Sequence, residues 1–321
     1  MTPHIPGLHH VTAITANGQK NIDFYTGVLG LRLIKVTVNF DDPASYHLYY
    51  GDQSGAPGSA MTFFVWEGGR AGRVGAPQAV MTQFAVPPGS LPYWVARFEE
   101  QRVPHQPLTE RWGDSVLAFS DPDDMPLELV ETTPAAAFVP ATGPVPPDYA
   151  IRGFFGVTLA SADAERTGAL LANIMGLSPL VDTDGDRIRY QGRAAGAAVV
   201  DVLQLGGTPR GYNGTGTIHH VAFRVPDDDT QKGWQSLLQE RGFGVSPVMD
   251  RCYFHSIYFR EPGGILFEFA TDGPGFTTDE SLEALGARLQ LPPWMEENRA
   301  QIETSLAPLR WPTHGSDNPP T

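Results

Sequence analysis

The chain has 321 residues, of which 41% are hydrophobic and 18% charged, so it is a soluble globular protein long enough for about two domains. Its formal net charge of −14 argues against a nucleic-acid or anionic-membrane partner. The single cysteine, Cys252, excludes an internal disulfide framework and a cysteine-based zinc site. With neither a secretory leader nor an apolar run of spanning length, the sequence predicts a cytoplasmic protein that acts on a small molecule. A homo-oligomer remains open.

The first half of the chain, residues 1–150, predicts two units of similar plan. One covers about 7–67 and the other about 77–132, and each has a strand, a helix and three further strands. The Pro/Ala/Gly-rich segment 134–148 is the predicted linker to the second half.

The second half, residues 151–321, predicts two more units of the same plan, at about 152–204 and 215–271. After them, residues 277–309 predict two helices separated by Leu-Pro-Pro. The fourfold recurrence of strand, helix and three strands predicts an α+β fold with C-terminal helices.

Two of these units open on a pair of adjacent histidines, in GLHHVTAIT and TIHHVAFRVP. Nine histidines would give about a quarter of one adjacent pair by chance, so two pairs in matching contexts need a cause. Aligning the units places Met81 at the position of His220 and Gly156 at that of His10. The repeat therefore explains the strands, and the histidines indicate chemistry added to the first and fourth units.

A third candidate ligand is the carboxylate of Glu268. It lies between two phenylalanines in the strand LFEFA. Such a group is costly to bury without a partner, and the partner is either a metal ion or Arg251 or Arg260. Glu128 occupies the same repeat position without histidines nearby, so a glutamate there also has a structural use. Two histidines and one carboxylate are the ligands of a facial triad that leaves coordination positions open.

Only one ring of each histidine pair is expected to face a given pocket, because neighbouring side chains of a strand point to opposite sides. The repeat favours His10 and His220 as ligands, with His9 and His219 beside the site or on the other face. No direct role is expected for the remaining histidines, which are His4, His47, His105, His255 and His314.

The chain resembles the vicinal oxygen chelate superfamily, which includes glyoxalases, bleomycin-resistance proteins and extradiol dioxygenases, and within it the ring-cleaving hydroquinone dioxygenases. The resemblance covers nearly the whole chain, in the motifs GLHHVTAI, FYTGVLGLRLIKVTVNFDDP, YHLYYGD, GTIHHVAFRV, SIYFREPGGILFEFATDGPGF and PPWMEENR. It implies four βαβββ modules paired into two half-open barrels. The first and fourth modules would form the metal-bearing barrel, and the second and third the metal-free one.

The resemblance also implies an Fe(II) site with His10, His220 and Glu268 as ligands, with Mn(II) as the other metal to consider. In such enzymes the metal binds an aromatic para-diol and then O2, and the ring opens between a hydroxylated carbon and its neighbour. Five further positions match those that line the substrate pocket: His9, Thr12, His219, Arg251 and Tyr258.

Each of these residue types suits a step of that chemistry. Tyr258 can hydrogen-bond an oxygen of the substrate, and Arg251 can stabilise negative charge. His9 or His219 can transfer a proton, and the sequence leaves the choice between them open.

Three alternatives remain. A glyoxalase-type lyase or isomerase takes four protein ligands, and the apolar strand MTFFVW offers none at the expected place. A catechol-type extradiol dioxygenase has ligands in its third and fourth units, where this chain has Gly156 in the third. A non-catalytic binding protein of the same superfamily would have no use for the triad.

Overall fold

The computed structural model describes residues 4–133, 138–204 and 210–312, which contain sixteen strands. The strands are, in chain order, β1 (Leu8–Thr15), β2 (Arg32–Asn39), β3 (Asp42–Gly51), β4 (Ala60–Val65), β5 (Gln78–Val86), β6 (Thr109–Arg111), β7 (Asp114–Ser120), β8 (Pro126–Glu131), β9 (Phe154–Ser161), β10 (Ser178–Pro179), β11 (Arg187–Gln191), β12 (Val199–Gln204), β13 (Thr217–Val225), β14 (Met249–Asp250), β15 (Phe254–Arg260) and β16 (Leu266–Pro274).

The strands form two curled sheets of eight. The first sheet has the order β14-β15-β16-β13-β1-β4-β3-β2, and the second has the order β10-β11-β12-β9-β5-β8-β7-β6. Four βαβββ modules in two half-open barrels were predicted from the sequence, and this α+β fold is confirmed. In the first sheet β1 and β13 run antiparallel, so the two modules that are farthest apart in the chain are neighbours in space.

The helices are short and begin at polar caps. They are α1 (Gly18–Ile22), α2 (Leu91–Gln101), α3 (Ala164–Ala169), α4 (Asp228–Glu240) and α5 (Arg299–Ser305). The side chains of Asn17, Asp163 and Asp227 accept backbone N–H groups at the starts of α1, α3 and α4. π-Helical turns follow α1 at Asp23–Val28 and α3 at Leu170–Ile174. Within the described ranges, no helix is long and apolar enough to cross a membrane.

The C-terminal segment differs from its prediction. The first of the two expected helices is absent, and a short 3₁₀ turn at Phe276–Thr278 is followed by irregular chain; Pro293–Asn298 is a second 3₁₀ turn that leads into α5. The irregular chain packs closely on β2, where a Cβ on Gly286 would lie 2.1 Å from the carbonyl oxygen of Leu33. This approach and the positive φ of Gly286, +75°, do not suit a helix.

The first sheet has two apolar faces with different partners. On the outer face, Trp234 of α4 is fully buried and packs edge-on against Phe269. The inner face carries a separate apolar cluster, formed by Ile34, Tyr49, Ala60, Ala222, Tyr253, Phe254, Ala270, Phe276 and Leu285. This inner cluster surrounds the polar residues described next.

Candidate metal centre

Three side chains from adjacent strands meet on the inner face of the first sheet. His10 lies on β1, His220 on β13 and Glu268 on β16, and all three are buried. The Nε2 atoms of His10 and His220 lie 3.3 and 2.8 Å from Oε2 of Glu268 and 3.4 Å from each other. The three groups can each offer one ligand atom within 4.8 Å of the others, which is close enough for one ion.

A β-bulge lies at the first histidine of each pair. His9 is an extra residue in β1 relative to β13, and His219 is an extra residue in β13 relative to β1. A bulge interrupts the alternation of side chains, so both rings of each pair lie at the site. Nδ1 of His9 is 2.9 Å from Nδ1 of His10, and Nδ1 of His219 is 2.8 Å from Nδ1 of His220. His9 and His219 therefore lie beside the triad.

These contacts orient the two candidate ligands. Because Nε2 of His10 and of His220 faces the carboxylate, the Nδ1 contact holds the outer side of each ring. Burial, followed by the neighbouring imidazole, lowers the pKa of His9 and the pKa of His219 to about 3. Both outer histidines are therefore neutral near pH 7.

Glu268 is an ionised carboxylate without an arginine partner. Ser256 donates to its Oε1 at 2.5 Å, while Oε2 has no hydrogen-bond partner among the described residues. Burial would raise the pKa of Glu268, but the neighbouring imidazoles of His10 and His220 outweigh burial and hold it well below its usual value. A buried, unsatisfied carboxylate oxygen facing two imidazole nitrogens fits a divalent cation.

Neither arginine considered as an alternative partner pairs with Glu268. Arg260 donates to the backbone oxygen of Gly264. Arg251 donates to the hydroxyl of Tyr258 at 3.3 Å and to the carboxylate of Asp41 at 3.0 Å. Since Asp41 belongs to the turn between β2 and β3, its pair with Arg251 joins the first and fourth modules.

Tyr258 faces the triad from β15. Its ring centroid is 5.8 Å from that of His220, and it pairs with Glu268 across the ladder. Burial, and then the charge of Glu268, raise the pKa of the Tyr258 hydroxyl, so it stays protonated. The predicted pair Arg251 and Tyr258 therefore presents a cation and a hydroxyl beside the triad.

A row of hydrogen bonds crosses the first module from Thr12 to β3. Oγ1 of Thr12 is 2.8 Å from Oγ1 of Thr62, which is 2.9 Å from Nε2 of His47; Nδ1 of His47 is 2.9 Å from the hydroxyl of Tyr49. His47 was not assigned a role from the sequence, because its context lacks the paired histidines. Strand alternation in YHLYY was the available signal, since it puts His47 and Tyr49 on one face.

The other single histidines lie away from the triad. Nδ1 of His105 contacts the carbonyl oxygen of Val103, His255 pairs with Asp228 at 2.6 Å, and His4 is exposed. His314 lies outside the described residues.

The model of the Glyoxalase/Bleomycin resistance protein/Dioxygenase superfamily matches residues 7–129 and 153–269. The chain belongs to this superfamily.

Relatives within the superfamily are named as dioxygenases. The chain is 48% identical to the "Putative ring-cleaving dioxygenase MhqO" of Bacillus subtilis, over 94% of this chain and 96% of that one. It is 35% identical to the "Chlorohydroquinone/hydroquinone 1,2-dioxygenase" of Sphingobium indicum, over 91% of this chain and 93% of that one. The crystal structure of a "putative dioxygenase" from Bacillus subtilis matches with a TM-score of 0.93 and 46% identity, covering 97% of this chain and all of the other.

The C-terminal segment packs against the first sheet in this superfamily member. Lys35 of β2 is fully buried, and its Nζ lies 2.5 Å from carboxylate oxygens of both Asp279 and Glu280. Tyr253 also donates to Asp279, at 2.9 Å. Since Phe276 belongs to the inner apolar cluster, the segment packs on the same face of the sheet as the triad.

Proposed function

We propose that the protein is an Fe(II)-dependent ring-cleaving dioxygenase that opens a hydroquinone between a hydroxylated carbon and its neighbour, with O2 as co-substrate. The observation that carries the proposal is the buried group of His10, His220 and Glu268, in which one carboxylate oxygen lacks a protein donor. These three residues would hold the metal as a facial triad. Bound there, Fe(II) supplies open coordination positions for a diol and for O2, and Mn(II) suits the same donors.

The apolar surroundings of the triad suit an aromatic diol. They are formed by the apolar cluster that includes Phe254, whose ring lies 4.9 Å from that of His10. In our proposal Tyr258 donates a hydrogen bond to a substrate oxygen, Arg251 stabilises the negative charge that develops there, and Thr12 binds the substrate beside His10.

Loss of the substrate's hydroxyl protons needs an acceptor near the triad. His9 and His219 are neutral imidazoles at this place, so we propose that one of them takes the proton. Comparing His9→Gln with His219→Gln identifies which one. The variant that loses the base has a lower kcat, and its activity recovers as the pH rises and the substrate ionises in solution.

The other readings explain fewer observations. A glyoxalase-type site has four protein ligands, and the His/Cys/Asp/Glu groups of the described residues supply three around this point. A catechol-type activity is disfavoured because a relative over most of the chain is named for hydroquinone cleavage. A binding protein without catalysis would leave the triad without a use.

The test is anaerobic loading of the full chain with Fe(II), followed by oxygen-uptake and product measurements. The substrates are hydroquinone, chlorinated and methylated hydroquinones, catechol, and the hemithioacetal of methylglyoxal and glutathione. We expect one O2 consumed per para-diol and both atoms of labelled O2 in the ring-opened product.

Three outcomes would overturn the proposal. No oxygen uptake with any diol removes the dioxygenase, and preferred turnover of catechol removes the hydroquinone assignment. Conversion of the hemithioacetal without oxygen uptake would support the lyase. Protein loaded with Zn(II), which has no redox chemistry, is the metal control.

A further inference from the structure

The row from Tyr49 to Thr12 contains one more hydrogen than it has hydrogen bonds. Tyr49, a neutral His47, Thr62 and Thr12 carry one donor hydrogen each, which makes four, whereas three contacts join them. One hydrogen is therefore left at one end of the row. Burial lowers the pKa of His47 well below its usual value and raises the pKa of Tyr49, so both groups are neutral.

The direction of the row follows from acidity. A phenol is a better donor than an aliphatic hydroxyl, and an imidazole nitrogen is a good acceptor, so Tyr49 donates to Nδ1 of His47. Nε2–H of His47 then donates to Thr62, and Thr62 donates to Thr12. The remaining hydrogen belongs to Thr12.

Thr12 places this hydrogen beside the triad. It follows His10 by two positions on the same face of β1, and it pairs with His220 across the ladder to β13. Thr62 is its ladder partner on β4, and Tyr49 is the ladder partner of Thr62 on β3. The row thus crosses three adjacent strands and ends beside the triad.

We propose that His47 is a positioning residue that, through Thr62, fixes Thr12 as a hydrogen-bond donor to an oxygen of the aromatic diol. The identity of the ligand as a diol rests on the proposed function, whereas the direction of the hydrogen bonds in the row does not. Thr37 provides a matched control. It faces His47 across the ladder from β2, is fully buried, and its hydroxyl has no hydrogen-bond partner among the described residues.

The first measurement needs no substrate or metal. Long-range ¹H–¹⁵N NMR of the histidine-labelled chain, with His47 assigned by the loss of its signals in His47→Gln, reports which ring nitrogen carries hydrogen. We expect Nε2–H in the wild type and in Thr37→Val. A wild-type His47 protonated on Nδ1 would reverse the direction and overturn the proposal.

The second measurement is steady-state kinetics of the Fe(II)-loaded variants at equal metal content. Thr62→Val is expected to lower kcat with the diol about tenfold, the effect of one lost hydrogen bond, while Thr37→Val stays within about twofold of wild type. Thr12→Val combined with Thr62→Val is expected to be no slower than Thr12→Val alone, since both remove the same donor.

Either of two kinetic results would overturn the proposal: equal losses for Thr62→Val and Thr37→Val, or multiplicative losses in the double variant. A wild type that consumes no O2 with any diol would instead remove the proposed function. The NMR result would still decide the direction of the row.

Discussion

The two sheets share the same arrangement of strands and bulges, but they differ in the side chains at equivalent positions. In the second sheet Val80 is an extra residue of β5 and Phe155 is an extra residue of β9, so the bulges recur at the positions of His219 and His9. Met81 then takes the place of His220. The bulges therefore belong to the fold, whereas the paired histidines occur in the first sheet alone.

The glutamates at equivalent positions are satisfied in different ways. Glu128 of the second sheet accepts two hydrogen bonds of 2.8 Å from Arg111, which stands where the fourth module has Arg251. The ladder partner of Glu128 is Ala118, whereas Glu268 has Tyr258 there. A small residue leaves room for a guanidinium to reach the carboxylate. One buried glutamate position can thus stabilise a barrel through arginine or leave a carboxylate oxygen free for a metal.

Among the substitutions that test this difference between the two sheets, Glu268→Gln is expected to have the largest effect. The triad loses its only charged ligand, so Fe(II) affinity should fall by more than about 100-fold, and oxygen uptake should fall with it. Metal titration and kinetics measure both. Glu128→Gln, the same change in the other sheet, should leave the metal stoichiometry unchanged. Equal metal loss in both variants would contradict the assignment of the site to the first sheet.

Glu128→Gln is expected to act on stability instead. It leaves Arg111 with only its longer contact to Asp184, 3.7 Å from its Nε, and removes the buried partner, which costs about 3 kcal/mol of unfolding free energy. Urea unfolding of the metal-free chain measures the loss. A change below about 0.5 kcal/mol would mean that the ion pair is not needed by the second sheet.

Gly156→Ala tests why the third module carries no ligand at the position of His10. A Cβ there would lie 2.4 Å from the backbone oxygen of Val199, so we expect a loss of about 1–3 kcal/mol in unfolding free energy. Gly27→Ala is the control, because nothing lies within 4 Å of its added Cβ. Unchanged stability of Gly156→Ala would show that this position has space for a side chain.

The smallest expected effect is the change with acidic pH in the stability that Glu128 contributes. Burial would raise the pKa of Glu128, but Arg111 outweighs it and lowers that pKa below 4.5. A carboxyl group with a lowered pKa in the folded state contributes its stability above pH 4.5 and loses it as the pH falls further. The stability difference between wild type and Glu128→Gln should therefore be constant from pH 7 to about 5.5 and shrink below about 4.5. A difference that grows on acidification would give Glu128 the opposite role.

The fold was predictable from the sequence because both the recurring unit and the alternation of side chains along each strand are visible in the order of apolar residues. His10, His220 and Glu268 followed from the same register. Local sequence patterns did not predict a role for a residue whose contacts come from elsewhere in the chain. His47 is the example, because its partner Thr62 lies on another strand. The bulges at His9 and His219 were also hidden, because one extra residue in a strand is visible only against its neighbour.

The strand order also has a consequence for synthesis. The strands of the second sheet are consecutive in the chain, so this half can fold once residues up to about 204 have emerged. The first sheet joins β1 to β13 and needs Lys35 to meet Asp279, a contact between distant parts of the chain. Such contacts form late because loop closure must come first. We therefore expect the second sheet to form first and the candidate metal centre to form later, after Glu268 has left the ribosome.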